Sequence, residues 1–143
     1  MALVRKHNEN KKGLAIVEVA IVFPLLLIVT LGAIRYGWLF LKAEQITNAA
    51  RMGARIAVLP DSTADTVCAA VNNLMTAANI NPDDCTVTIT PADIGSLQVG
   101  DSLSVRVTVP CSAVDIMDVP IFSDLEPEDW NLGAEVTMAK EGY

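Results

Sequence analysis

Polar and basic residues fill positions 1–13, and the pattern then changes abruptly. From Leu14 to Ile34 there are 21 residues with a single ionisable side chain, Glu18. A helix rises about 1.5 Å per residue, so this run spans roughly 30 Å, the thickness of a bilayer's hydrocarbon core. It predicts a membrane-crossing helix. Pro24 lies inside it and should bend it, although membrane helices tolerate proline. After Arg35 the pair Tyr36 and Trp38 fits an aromatic belt at the outer interface. Between Ile46 and Val58 the pattern changes again, and Ala49, Gly53 and Ala57 recur at every fourth position. That is a small-residue stripe on one helix face, suited to the close approach of another element. One long helix is expected from residue 14 to about residue 58.

Leu59-Pro60-Asp61-Ser62 breaks that helix, with Asp61 or Ser62 placed to cap the next, expected from Thr63 to Ala78. Val67, Ala70 or Val71, Leu74 and Ala78 follow helical spacing and give it a buried face. Three runs then alternate polar and apolar residues: 86–90, 102–109 and 132–138. Each reads as a strand of a sheet with one covered face. The fold class expected is α+β: a long N-terminal helix, partly transmembrane, leading to a small head. In that head one helix packs on a three-stranded, mostly antiparallel sheet. The organisation expected is a basic leader at 1–13, a membrane helix at 14–35, its extension at 36–59 and a head at 60–143.

Charge sharpens this picture. The leader carries a net +3, whereas the chain from Tyr36 onward holds 15 acids against 5 bases. A short basic end stays cytoplasmic by the positive-inside rule, which places the acidic part outside. An acidic exterior also excludes a nucleic-acid partner, because it has no basic surface to neutralise phosphates. Of the three cysteines, none makes a C-x-x-C pair, and the one histidine, His7, sits in the leader. No zinc site, other metal centre or cofactor is expected. Antiparallel return of the second strand should bring Cys111 near Cys85. A Cys85–Cys111 disulfide is therefore expected, with Cys68 a small buried apolar residue; three free thiols are the alternative. Asp115, Asp118, Asp124, Glu126, Glu128 and Asp129 could supply oxygen ligands for calcium, but EF-hand spacing is missing and a solvated loop is the simpler reading. There is no G-x-S-x-G, no phosphate loop and no histidine for acid–base work, so an enzyme is not expected.

A basic leader, then Gly13, then an apolar helix with an acid at the fifth position after the glycine resembles a type IV prepilin. The run Gly13-Leu-Ala-Ile-Val-Glu18, Pro24-Leu-Leu-Leu and Thr47-Asn-Ala-Ala-Arg51 with Gly53-Ala-Arg55 is similar to the TadE-like proteins of tight-adherence (Flp) pilus systems. The resemblance implies a minor pilin or pseudopilin cut by a prepilin peptidase between Gly13 and Leu14. It also implies that the Glu18 carboxylate pairs with an N-terminal amine during assembly. Partners implied are the peptidase, other pilin subunits, the assembly platform and membrane lipid. The family pattern often has Phe as the first mature residue, and here it is Leu14. Two other readings compete. One is an uncleaved, single-pass anchor for an external binding domain, with Glu18 an interfacial acid. The other is a secreted protein released by signal peptidase, which the long apolar run disfavours.

Overall fold

The computed structural model describes residues 9–116 and 130–142. The first residues of the leader and the acidic stretch with Asp118, Asp124, Glu126, Glu128 and Asp129 lie outside the described residues. The fold is α+β, as the patterning predicts. Helix α1 runs Glu9–Ala57, α2 runs Ala64–Ala77, and three strands follow: β1 (Thr86–Thr90), β2 (Ser102–Pro110) and β3 (Asn131–Ala139). The chain divides into two compact units, Met1–Tyr36 and Gly37–Tyr143.

In the first unit α1 contains a stretch long and apolar enough to cross a membrane. From Gly13 to Leu31 every side chain is exposed. Pro24 lacks the N–H that would bond one turn back, yet α1 continues through it. Six residues beyond it, Thr30 turns its hydroxyl back onto the helix and donates it to the Leu26 carbonyl at 2.8 Å.

The second unit is built around β2. Its antiparallel partner β1 pairs Thr86 with Thr108 and Thr90 with Ser104, and β3 pairs Ser102 with Ala139 and Pro110 with Asn131. Period-two alternation puts Leu103, Val105, Val107 and Val109 on one face of the central strand, where all four are fully buried. The layer over that face is helical. Val67, Val71 and Met75 come from α2, and Ile46, Ala49, Ala50, Ala54 and Ala57 come from α1. The sheet therefore carries two helical segments, one more than the pattern predicts, because the 37–57 stretch of α1 belongs to this core. The opposite face is rich in Thr and Ser and carries the Arg106–Glu135 pair, which sit directly opposite each other on β2 and β3.

The connection into α2 differs from expectation by one or two residues. Asp61 takes a left-handed backbone, φ 61°, and makes the turn. Thr63 is the cap: its hydroxyl accepts from the Thr66 N–H at 3.3 Å, and the Thr66 hydroxyl accepts from the Thr63 N–H at 3.0 Å. At its far end α1 is closed by the chain that leaves β3. The Lys140 ammonium donates to the Leu59 carbonyl at 3.0 Å, and the Glu141 N–H donates to the Val58 carbonyl at 3.2 Å.

Candidate functional site

Gly13 and Leu14 lie within α1, and both are exposed. A Cβ added at Gly13 would meet nothing within 4 Å, and Leu14 is 72% exposed. Glu18 follows one turn later on the same helix face, which is where a spacing of four residues places it. It is exposed and borders a shallow apolar groove formed by Val19, Val22, Phe23 and Leu26. A carboxylate among such neighbours in lipid costs a few kcal/mol unless it is protonated, snorkels or is paired. Geometrically, a charge at the Leu14 amine would lie about 6 Å along the helix axis from Glu18.

The small-residue stripe lies in the second unit, and its neighbours belong to this same chain. Ala49, Gly53 and Ala57 are all buried. A Cβ added at Gly53 would fall 2.9 Å from a Val71 methyl on α2 and 3.3 Å from a Val105 methyl on β2. Helix α1 thus passes close to α2 and the sheet at that position, and a side chain there would hold them apart.

Two features near the start of this unit are not expected from the hydrophobic pattern alone. Trp38, expected in an interfacial belt, is half-buried and its indole N–H donates to the Val114 carbonyl at 2.9 Å. Lys42 is buried, donates to the Ala78 carbonyl at the end of α2 and places its ammonium 4.9 Å from the Trp38 ring centroid. One cation thereby closes the C-terminal end of α2, where carbonyls lack intrahelical donors, and rests on an aromatic face. Spacing of i and i+4 on α1 was the available signal, since it stacks Trp38 beneath Lys42.

In the structure the three cysteines are free thiols, and Cys85 and Cys111 are not bonded to each other. Register supplies the reason. Thr86 faces Thr108, which sets Cys85 against Val109 when the ladder is extended one step. Cys111 is two residues farther on, where the chain leaves β2 for the 3-10 turn Cys111–Ala113. Such diagonal neighbours stand about 7–8 Å apart, beyond the usual Cα separation of a disulfide. Cys68 is half-buried rather than part of the core. Burial pushes the Cys85 thiol above its ordinary value, and the nearby Cys68 adds to the shift.

Among the described residues, no group of three His, Cys, Asp or Glu side chains is arranged to hold a metal ion. Residues 13–55 match the family model of TadE-like proteins. This segment is similar to that family. No curated protein and no solved structure matches the chain. The TadE-like segment covers less than a third of the 143 residues and stops inside α1. It takes in Gly13, Leu14, Glu18, Ala49 and Gly53 and leaves out α2, the sheet and all three cysteines. TadE-like proteins are associated with Tad pili and are generally non-enzymatic, and the apolar part of α1 is consistent with membrane anchoring.

Proposed function

We propose that this chain is a non-enzymatic minor pilin or pseudopilin of a tight-adherence pilus. It is inserted in a bacterial inner membrane with its basic end in the cytoplasm and its acidic part outside. Prepilin peptidase cuts between Gly13 and Leu14, and the subunit then enters the pilus or its assembly machine. Peptidase, other pilin subunits, the assembly platform and lipid are its partners. The observation that carries this reading is the TadE-like match over residues 13–55, which begins at the glycine and includes the acid at the fifth position after it. Cleavage would create an ammonium on Leu14 four residues before Glu18. Pairing of the two, within a subunit or between subunits, would offset the cost of the acid in lipid.

The test is the intact mass and N-terminal sequence of the membrane-derived protein, with and without prepilin peptidase. A start at Leu14 only when the peptidase is present is the expected result. A start at Met1 or Ala2 in both cases would leave an uncleaved anchor for an external binding domain. With cleavage established, Glu18→Ala should be cut normally yet recovered poorly with sheared filaments. Normal recovery of that variant would remove the pairing role of Glu18.

A further inference from the structure

The second unit receives α1 at Gly37, three residues after the apolar run ends at Ile34. Its first exposed large side chains on α1 are Phe40, 70% exposed, and Leu41, 48% exposed. Beyond them the exposed positions of α1 are Glu44, Asn48, Arg51, Met52 and Arg55, so the outward face turns from apolar to mainly polar within one turn. From Leu14 to Leu41 there are 28 residues. They make about 42 Å of helix, close to the thickness of a bilayer with its headgroup layers, whereas Leu14 to Ile34 matches the hydrocarbon core alone. The change of polarity on α1 thus falls where headgroups meet water. A third large apolar side chain reaches the same end from far along the chain. Ile116, 50% exposed, follows Val114 by two residues, and the Val114 carbonyl accepts from the Trp38 indole N–H. That bond ties the segment after β2 to the part of α1 nearest the span. Leu59 and Val99 are exposed as well, but at the opposite end of the unit. There Lys140 meets the last turn of α1, and the Gly100 N–H donates to the Lys140 carbonyl at 3.0 Å.

We infer that this end of the second unit rests in the headgroup layer of the membrane, with Phe40, Leu41 and Ile116 as its lipid contacts. The occupant of the apolar face is the bilayer that holds α1, because Phe40 and Leu41 stand within about two turns of the apolar run on the same helix. The inference goes beyond the pilin reading and borrows from it only the membrane insertion, so it holds for a cut or an uncut chain. Such interfacial contact grows with the apolar area buried and with attraction to charged lipid. Here the apolar part acts alone. Asp83 and Asp84 are exposed in the 3-10 turn Pro82–Asp84 that follows α2, and Lys42 of α1 caps α2 at that same end. Those acids would be repelled by anionic lipid rather than drawn to it. Contact at two chain-distant points, one on α1 and one after β2, fixes both the depth of the unit and its tilt on the surface.

The experiment uses the full chain reconstituted in vesicles of phosphatidylethanolamine and phosphatidylglycerol. An environment-sensitive fluorescent amino acid replaces Ile116 or, in a separate sample, Val99, and a lipid with a nitroxide on its headgroup is the quencher. Ile116 is the informative site, because membrane insertion of α1 does not by itself bring it to the surface. Emission from position 116 should be blue-shifted and largely lost to the quencher, while emission from position 99 stays as it is in the absence of quencher. Raising the salt should leave this difference unchanged. Phe40→Ser with Leu41→Ser should restore most of the emission at position 116. Protease resistance of the 37–143 unit checks that this variant is folded, and the comparison of positions 116 and 99 decides the matter if it is not. An unquenched position 116 overturns the inference, including one that is blue-shifted because protein covers it. Equal quenching at both positions, which a unit lying flat would give, overturns it as well, and so does quenching that salt releases. Flotation of the same vesicles after a carbonate wash separates the two levels. A chain that floats with position 116 unquenched loses the contact and keeps the membrane insertion. A chain that does not float loses both.

Discussion

Gly53 shows how one missing side chain decides a packing distance. In an exposed helix interior, Gly→Ala gains about 0.5–1 kcal/mol of propensity. Here the new methyl would press on Val71 and Val105, which are fully buried and stiff at χ1. Overpacking of that kind costs about 1–3 kcal/mol, so Gly53→Ala should be net destabilising by about 1 kcal/mol, and Gly53→Leu by considerably more. Urea denaturation of the detergent-solubilised protein reads this as a lowered midpoint; a raised midpoint for the alanine variant would show that the two valines yield. On the opposite face of the sheet, the Arg106 guanidinium donates to Glu135 from Nε at 3.1 Å and holds that carboxyl below its ordinary range. A depressed folded value means the pair's contribution is present above the unfolded carboxyl range and is lost as pH falls through the folded value. Glu135 is fully exposed, so its effect on stability is slight and its own titration is the better readout. Carboxyl NMR should place its midpoint below that of an ordinary Glu, and Arg106→Gln should return it upward. An unchanged midpoint in that variant would assign the shift to something other than Arg106.

Helix ends show where elements draw stability from beyond their own span. Thr63 and Thr66 satisfy each other's backbone at the start of α2, so Thr63→Ala should cost about 1 kcal/mol, the usual worth of an N-cap. Lys140 does the reverse at the end of α1, placing a cation on carbonyls where the helix dipole is negative. Lys140→Ala should cost about 0.5–1 kcal/mol and speed amide exchange in the last turn of α1 while leaving β2 protected. Equal acceleration in β2 would mean that the two elements open together. Elements such as these were legible in different degrees. Strands β1, β2 and β3 were legible because period-two alternation is strong in all three runs, and α1 because 21 nearly uncharged residues admit little else. Trp38 was misplaced because a tryptophan after an apolar run looks the same whether its indole meets lipid headgroups or the Val114 carbonyl. The two-residue offset between Cys85 and Cys111 is not legible in the pattern, since alternation fixes which face a residue takes and not its register against the next strand. Lys42 was hidden for a similar reason: its acceptor, the Ala78 carbonyl, is distant in sequence and leaves no mark in composition.

At the scale of the molecule, the described core residues of the second unit begin at Leu39. Its helical layer includes α1 only from that point, and the strands complete it. A fragment starting at Gly37 therefore keeps the full set of described core residues and discards the apolar run. It also keeps all 15 acids found after Tyr36 against 5 bases, a net charge large enough to favour solubility. At 107 residues it exceeds the size at which small domains need disulfides or metals, which fits its free thiols. Residues 37–143 should accordingly be soluble without detergent and unfold in a single cooperative thermal transition, with the far-UV signal of both helix and sheet. Adding reductant should leave the midpoint unchanged, because no bridge contributes to it. A broad transition with exposed apolar surface would mean that residues before Gly37 complete the core after all. A reductant-sensitive midpoint would instead mean that two of the three cysteines pair in solution, and the register of β1 on β2 would be the first thing to re-examine. Phe40 and Leu41 remain exposed in the fragment, so any weak association it shows should be lost on changing those two residues to Ser with the midpoint held. That outcome would separate the surface of α1 that faces outward from the surface that builds the core.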